Sequence, residues 1–197
     1  MNLFMMNKSQ FTLLLILISF SFAGGTVAQT SAIAVAQVTL SANDFCEIDT
    51  FGGPVNLTLS TLVAGTAVPT VSNSNMYVRI SSLVPGNTNR MITVHITSGT
   101  VPLGTRLTLK AALSINANGA GRSGSVVSTP IILTAIDQPL VTGIGSYYTG
   151  TGPTDGYRLT YTWGPYNPAT DYQLIQATAV PTTLTIVLTI SPHDGNN

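Results

Sequence analysis

Apolar and polar side chains alternate along much of this chain, and this period of two restricts its fold more than any other feature. The clearest runs are 55–60, 76–81, 92–97, 107–113 and 183–190. A strand with one apolar face has this period, whereas an amphipathic helix repeats about every 3.6 residues. Weaker strands are predicted over 36–41, 126–136, 157–163 and 172–178. In the last run, the sequence predicts that Leu184, Ile186, Leu188 and Ile190 face the core.

Clusters of turn-forming residues separate these runs, as at Gly52-Gly53-Pro54 and Pro85-Gly86-Asn87. About eight or nine strands in a chain of this length indicate one all-β domain. We therefore predict a single antiparallel sandwich, of the immunoglobulin-like or the jelly-roll type, over residues 29–190. The polar residues 191–197 are predicted to form a disordered tail.

The first 28 residues have the pattern of a secretory signal peptide. Lys8 precedes an apolar run over 11–20, and small residues follow up to Ala28. The run is about ten residues long, roughly half of what a membrane span needs. Cleavage is predicted near Ala28, which lies closest to the apolar run, although Ala34 and Ala36 end closer matches to the Ala-x-Ala pattern. The chain is therefore expected to be secreted or held at the cell surface.

Charged residues make up only 7% of the chain, with seven basic and seven acidic side chains. Removal of Lys8 with the signal would leave about one net negative charge, so the chain lacks the basic character of nucleic-acid-binding proteins. Low charge also reduces the repulsion between copies of a protein. We expect no nucleic acid as partner, and association with copies of itself or with other surface proteins.

Cys46 is the only cysteine, so the chain cannot form an internal disulfide. Two interpretations of this residue stay open. One is a small, half-buried apolar residue near Phe45. The other is a disulfide between two molecules.

Side chains suited to catalysis are scarce. His95 lies within a predicted strand and His193 lies in the polar tail, and neither has a partner at ligand spacing. The acidic cluster Asp44-x-x-Glu47-x-Asp49 lacks the glycine-centred loop of a calcium site. The sequence therefore predicts a protein that is not an enzyme, with no metal site and no cofactor.

The aromatic residues are concentrated between positions 147 and 172: Tyr147, Tyr148, Tyr157, Tyr161, Trp163, Tyr166 and Tyr172. This stretch can be the bulky part of the core. It can also be a binding surface, because rings with a polar tip stack on sugars and anchor protein interfaces. Tyr147, Tyr148 and Tyr166 fall in predicted loops, and together with Trp163 they are the candidate ligand-binding residues.

The segments Val141–Tyr148, Tyr157–Trp163 and Thr183–Ile190 suggest a family, taken with the signal peptide and the Thr-rich strands. In this pattern the chain resembles secreted sandwich proteins of Gram-negative bacteria, which include fimbrial subunits and spore-coat-U-type proteins. Such subunits often contain a disulfide and end on an aromatic strand, and here the chain departs from them. The departure puts chaperone-dependent assembly in doubt.

Two functions are compatible with these features. The first is a non-enzymatic structural subunit of a surface fibre, coat or extracellular matrix, which the resemblance implies and which could assemble by strand addition. The alternative is a carbohydrate- or partner-binding module, with a role such as adhesion, that uses the Tyr/Trp cluster.

Overall fold

A computed structural model describes residues 36–60, 63–114, 118–178 and 180–193. The predicted signal peptide, residues 1–28, lies outside the described residues. By its internal contacts the chain divides into Met1–Ser41 and Ala42–Asn197, and all the described strands belong to the second unit. Among the described residues, no helix combines the length and apolar character needed to cross a membrane.

The described part of Ala42–Asn197 is built from strands, with one short 3₁₀ helix at Tyr172–Leu174. The strands are β1 Phe45–Phe51, β2 Val71–Leu83, β3 Asn89–Ser98, β4 Thr105–Leu113, β5 Ala120–Gly121, β6 Ser125–Val126, β7 Ile131–Ile132, β8 Gln138–Ile144, β9 Tyr147–Tyr148, β10 Tyr157–Pro165 and β11 Thr185–His193. This content confirms the prediction of an all-β chain.

The strands form two antiparallel sheets. The larger sheet has the order β5-β9-β2-β10-β4-β7, with β1 paired to β2 on the side opposite β10, and the smaller sheet has the order β11-β3-β8-β6. The pairing is nested along the chain, because β4 pairs with β7, β3 with β8, and β2 with β10. The chain thus runs out through β2 to β4 and returns beside itself through β7 to β10.

Both sheets contribute to one hydrophobic core. Val78 on β2, Leu109 on β4 and Leu159 on β10 are almost completely buried, as are Val94 on β3 and Leu140 on β8. Strands β2, β4 and β10 bury alternate residues, as pleated strands with one face on the core must do, whereas β3 and β8 also bury consecutive residues. Burial of these side chains removes apolar surface from water, which is the main favourable contribution to folding.

Several predicted strands are confirmed, whereas others differ in extent. Residues 36–41 form no strand, and 126–136 includes only the short strand β7 and the last residue of β6. The prediction of a strand over 55–60 is wrong, although Val55, Leu57 and Leu59 remain half-buried between exposed neighbours. Alternating burial requires only an extended chain, and ladder hydrogen bonds depend on a partner strand that the local sequence does not specify.

The predicted strand over 172–178 is also wrong, because local turns replace it. The backbone N–H of Asp171 donates to the carbonyl of Asn167, and that of Leu174 donates to Asp171, so the segment coils instead of extending. At the other end, β11 continues to His193, three residues beyond the predicted domain end at Ile190. Residues 191–193 are therefore part of a strand, and 194–197 lie outside the described residues.

Candidate functional site

Strand β10 turns the centre of the aromatic stretch toward the core. Tyr157 and Tyr161 are buried on its inner face, where the hydroxyl of Tyr157 donates to the carbonyl of Ser123. Burial raises the pKa of Tyr161 to about 12, and it raises the pKa of Tyr157 as well. The hydroxyl of Tyr161 donates to the sulfur of Met76 at 3.8 Å. These two residues are part of the core.

Tyr147 and Tyr148 lie on the short strand β9, and not in a loop as predicted. Only 6% of Tyr147 is exposed, so this predicted ligand-binding residue is buried in the core. Its hydroxyl has a raised pKa, first because of burial and second because of the negative charge of Asp155. Tyr148 points the opposite way along the pleat and is 52% exposed. Only Tyr148 of this pair can meet a ligand.

Trp163 and Tyr166 lie at the far end of β10. The indole Nε1–H of Trp163 donates to Oγ1 of Thr105 at 2.9 Å, and the half-buried ring packs against the core. Tyr166 is 54% exposed, and the guanidinium of Arg106 lies 5.5 Å from the centre of its ring. Tyr166 is therefore available to a ligand, whereas Trp163 mainly supports the strand.

The two exposed tyrosines are far apart. Tyr148 pairs with Ser81 on β2, whereas Trp163, near Tyr166, pairs with Val71 on the same strand. Ten residues of β2 separate these positions, which corresponds to roughly 30 Å along a strand. The four predicted ligand-binding residues therefore do not form one surface.

Cys46 lies on β1 opposite Ser82 of β2, and its thiol is free. It is half-buried and lies on the inner-facing side of the strand, the same side as Ile48. This position is typical of a small apolar residue that fills space beside the core. The geometry favours the first of the two interpretations of this residue.

Two of the clustered carboxylates near Cys46 form ion pairs. Asp49 accepts from Arg79 at 2.7 Å, and Asp44 pairs with the buried Arg90 of β3. The second pair links the start of β1 to the smaller sheet. No group of three His, Cys, Asp or Glu side chains in the described part of the chain could hold a metal ion.

His95 has a partner that sequence spacing could not reveal. Its Nδ1 lies 2.7 Å from a carboxylate oxygen of Asp137, which is 42 positions away on the approach to β8. Such a pair can orient an imidazole as a base. However, within the described residues the other ring nitrogen has no hydrogen-bonded hydroxyl that could act as a nucleophile.

Asp155 is a polar residue that the sequence did not single out. It accepts hydrogen bonds from the backbone N–H of Gly152 at 2.7 Å and from the side chain of Asn118 at 2.9 Å. These bonds, the Gly152 bond first, lower the pKa of its carboxyl. Gly150 and Gly152 leave no room for a Cβ beside this carboxylate. The side chain organises the loop between β9 and β10 and is saturated by its own chain.

Strand β11 leaves a long free edge on the smaller sheet. It pairs with β3 on one side, and no strand of the described residues pairs with its other side. Residues 183–192 contain no charged side chain. The predicted inner residues Leu184, Ile186, Leu188 and Ile190 pack against the core, as expected, but they are only half-buried. This edge is the candidate functional site.

The other edges are short or charged. β5, β6 and β7 have two residues each, and β1 presents Glu47 and Asp49. Natural sheets use short strands and charged side chains to prevent pairing with other molecules. Among the described edge strands, β11 is the longest and has no Lys, Arg, Asp or Glu side chain, although Pro192 removes one backbone N–H near its end.

Comparison with known proteins finds no matching family model, no matching curated protein and no matching solved structure.

Proposed function

We propose that this protein is an exported, non-enzymatic structural subunit of a surface fibre, coat or extracellular matrix, and that its copies associate at the free edge of β11. The observation that supports this is the nine-residue β11 edge with no lysine, arginine or carboxylate. Unpaired backbone N–H and C=O groups along such an edge accept another strand without any change in the host sheet.

The half-buried inner side of β11 adds to this argument. Ile186, Leu188 and Ile190 face residues of the core, yet part of each side chain remains in contact with water. A strand added beside β11 would cover this exposed flank, and each buried apolar square ångström contributes about 25 cal/mol. Association would thus gain hydrophobic burial in addition to backbone hydrogen bonds.

Residues 36–41 are the donor strand in this proposal. Val38 and Leu40 alternate with Gln37, Thr39 and Ser41, and the segment forms no strand of its own. Their side chains are 76% and 88% exposed, respectively. A segment with strand periodicity and no partner strand among the described residues suits the free edge of a second copy.

The finer fold type in this proposal is a jelly-roll sandwich, in preference to the immunoglobulin-like one. Its support is the nested pairing of β4 with β7, β3 with β8, and β2 with β10, which alternates between the two sheets. A jelly roll is a long antiparallel hairpin wrapped into two sheets with this order. Export in this proposal rests on the signal-like residues 1–28.

The alternative function, a carbohydrate- or partner-binding module that uses the Tyr/Trp cluster, has less support. It required Tyr147, Tyr148, Trp163 and Tyr166 to act as one surface. Tyr147 is buried, Trp163 is bonded to Thr105, and the exposed pair is at opposite ends of β2.

The test is a lysine placed on the free edge strand. Thr189 is exposed on β11, so Thr189→Lys adds a charge there without entering the core. Thr154→Lys adds the same charge at an exposed turn and is the matched control. Sedimentation and electron microscopy should show assemblies for the natural protein and for the Thr154 variant, but monomers for the Thr189 variant, with unchanged melting temperatures.

A natural protein that stays monomeric up to millimolar concentration would overturn the proposal. Equal assembly by the two lysine variants would place the contact elsewhere than β11. A second test uses Leu40→Asp. This variant should stop assembly and leave the melting temperature of the monomer unchanged, because Leu40 lies outside the strands of its own chain.

A further inference from the structure

The outer face of the larger sheet holds a concentration of positive charge. Arg106 and Lys110 on β4 and Arg158 on β10 are all exposed on this face. The register places Arg106 opposite Gly164, Lys110 opposite Thr160, and Arg158 opposite Ala112. Directly paired residues share a face, so the three cations form a row about 20 Å long over two adjacent strands. We call this surface the basic row.

Within the described residues, no ion pair neutralises these three cations. Of the other arginines in the described residues, Arg79 and Arg90 form ion pairs with aspartates, and Arg122 donates to the carbonyl of Thr88. No carboxylate of the described residues lies within 4.0 Å of a nitrogen of the basic row. Three of the four Lys and Arg side chains of the described residues that form no ion pair are thus gathered on one surface.

The carboxylate of Glu47 shares this sheet face and has no ion-pair partner, but it is distant from the row. Arg158 is in register with Tyr77 of β2, which is in register with Phe51 of β1. Glu47 lies four residues further along β1, so the separation is about 16 Å. This exceeds the screening length of about 8 Å at physiological salt.

Hydroxyl groups fill the space beside the cations. Oγ of Ser72 lies 2.8 Å from Oγ1 of Thr162, and Oγ of Ser74 lies 2.9 Å from Oγ1 of Thr160. Oγ1 of Thr108 also donates to the carbonyl of Thr162 at 3.4 Å. Each hydroxyl has one donor and two acceptor positions, so these bonds leave capacity for a ligand.

A groove and an aromatic ring mark one end of the row. Arg106, Thr108, Thr162 and Gly164 are among the residues that line a groove of about 400 Å³. The guanidinium of Arg106 is held over the exposed ring of Tyr166, which reduces the freedom that the side chain would lose on binding.

We propose that the basic row binds an anionic polysaccharide, a sugar polymer with carboxylate or sulfate groups. Cations separated by a hydroxyl-rich surface match a chain in which charged groups alternate with many hydroxyls. The row is long enough for several sugar rings. Nucleic acid is a poorer match, because its closely spaced phosphates are normally bound by a denser set of basic residues. This site is distinct from the β11 edge and does not depend on assembly.

The experiment is titration calorimetry of the purified protein with defined polymers. Heparin and polygalacturonate test sulfate and carboxylate groups, dextran tests a neutral polymer, and duplex DNA tests an anion without sugar hydroxyls. We expect binding to at least one acidic polysaccharide, weaker binding to DNA and none to dextran, with affinity falling as salt is raised.

Substitutions locate the site. Lys110→Gln combined with Arg158→Gln should weaken binding about tenfold, since exposed ionic contacts are each modest. Arg106→Gln is a second variant at the groove end. Arg122→Gln removes the same charge outside the row and should change the affinity less than about twofold. Circular dichroism melts verify that each variant is folded.

Several outcomes would overturn the proposal. These are absence of binding to both acidic polysaccharides at low salt, equal or tighter binding to DNA, and equal weakening by Arg122→Gln and by the row variants. Absence of binding would show that the basic row is not a polysaccharide site. Either of the other two results would show that binding is only a general attraction between opposite charges.

Discussion

Ile92 and Ile190 provide a matched pair for measuring how open the β11 edge is. They face each other across the β3/β11 register, so the residue type is the same and the strands differ in that β3 is interior and β11 is the edge. Ile92 is 1% exposed, whereas Ile190 is half-buried. Truncation of a fully buried isoleucine to alanine costs about 2–5 kcal/mol, of which part is the cavity that remains. We therefore expect Ile92→Ala to cost about 4 kcal/mol.

Ile190→Ala should cost about 1–2 kcal/mol in the monomer, because part of the side chain is already in contact with water and the truncated site stays open to solvent. Urea unfolding of both variants at low protein concentration, with equal m-values, measures the difference. Under assembling conditions, Ile190→Ala should lose additional stability, and Ile92→Ala should not. Equal losses of unfolding free energy by the two variants in the monomer would show that Ile190 is as fully covered as Ile92. That result would refute our account of β11 as an open edge.

Two further predictions concern single side chains near the larger sheet. Because its hydrogen bonds hold the pKa of Asp155 low, the stability that this carboxylate contributes is present above about pH 4 and is lost as the pH falls through the folded pKa. The melting temperature of Asp155→Asn should therefore drop less between neutral pH and about pH 3 than that of the natural protein. An equal drop in the two proteins would contradict this account. Cys46→Ser should leave assembly unchanged in the presence or absence of reductant, because the thiol is half-buried on an inner-facing position. A covalent dimer of the natural protein on a non-reducing gel would contradict that expectation.

The strands of the core were predictable because their side-chain pattern is local information. Runs such as 92–97 and 107–113 contain the alternation in consecutive residues, and the structure places strands there. Strand β1 was missed because its inner positions include a cysteine and two apolar residues, Phe45 and Phe51, lie on its outer side with Glu47 and Asp49, so the alternation of apolar and polar residues is weak. The partner of each strand depends on distant segments, so the order within the sheets could not be derived from periodicity.

The candidate sites were harder to predict for the same reason. The concentration of aromatic residues along the sequence was compatible with a core or with a binding surface, and β9 and β10 send Tyr147 and Tyr157 inward. The basic row went unnoticed because Lys110 and Arg158 are 48 positions apart in sequence and become neighbours only through the β4/β10 register. Alternation had shown which face each residue takes, and the missing information was which strands are adjacent.

The two proposed surfaces can be used at the same time, because they belong to different parts of the sheets. β11 is the edge of the smaller sheet, whereas β4 and β10 are interior strands of the larger one. Strand addition at β11 would therefore leave the basic row exposed on every copy. A polymer of copies would present the row repeatedly to one polysaccharide chain, and linked weak sites bind such a chain far more tightly than one site does. Three unpaired cations per copy would then be sufficient for retention in an extracellular matrix, even though the whole chain has almost no net charge.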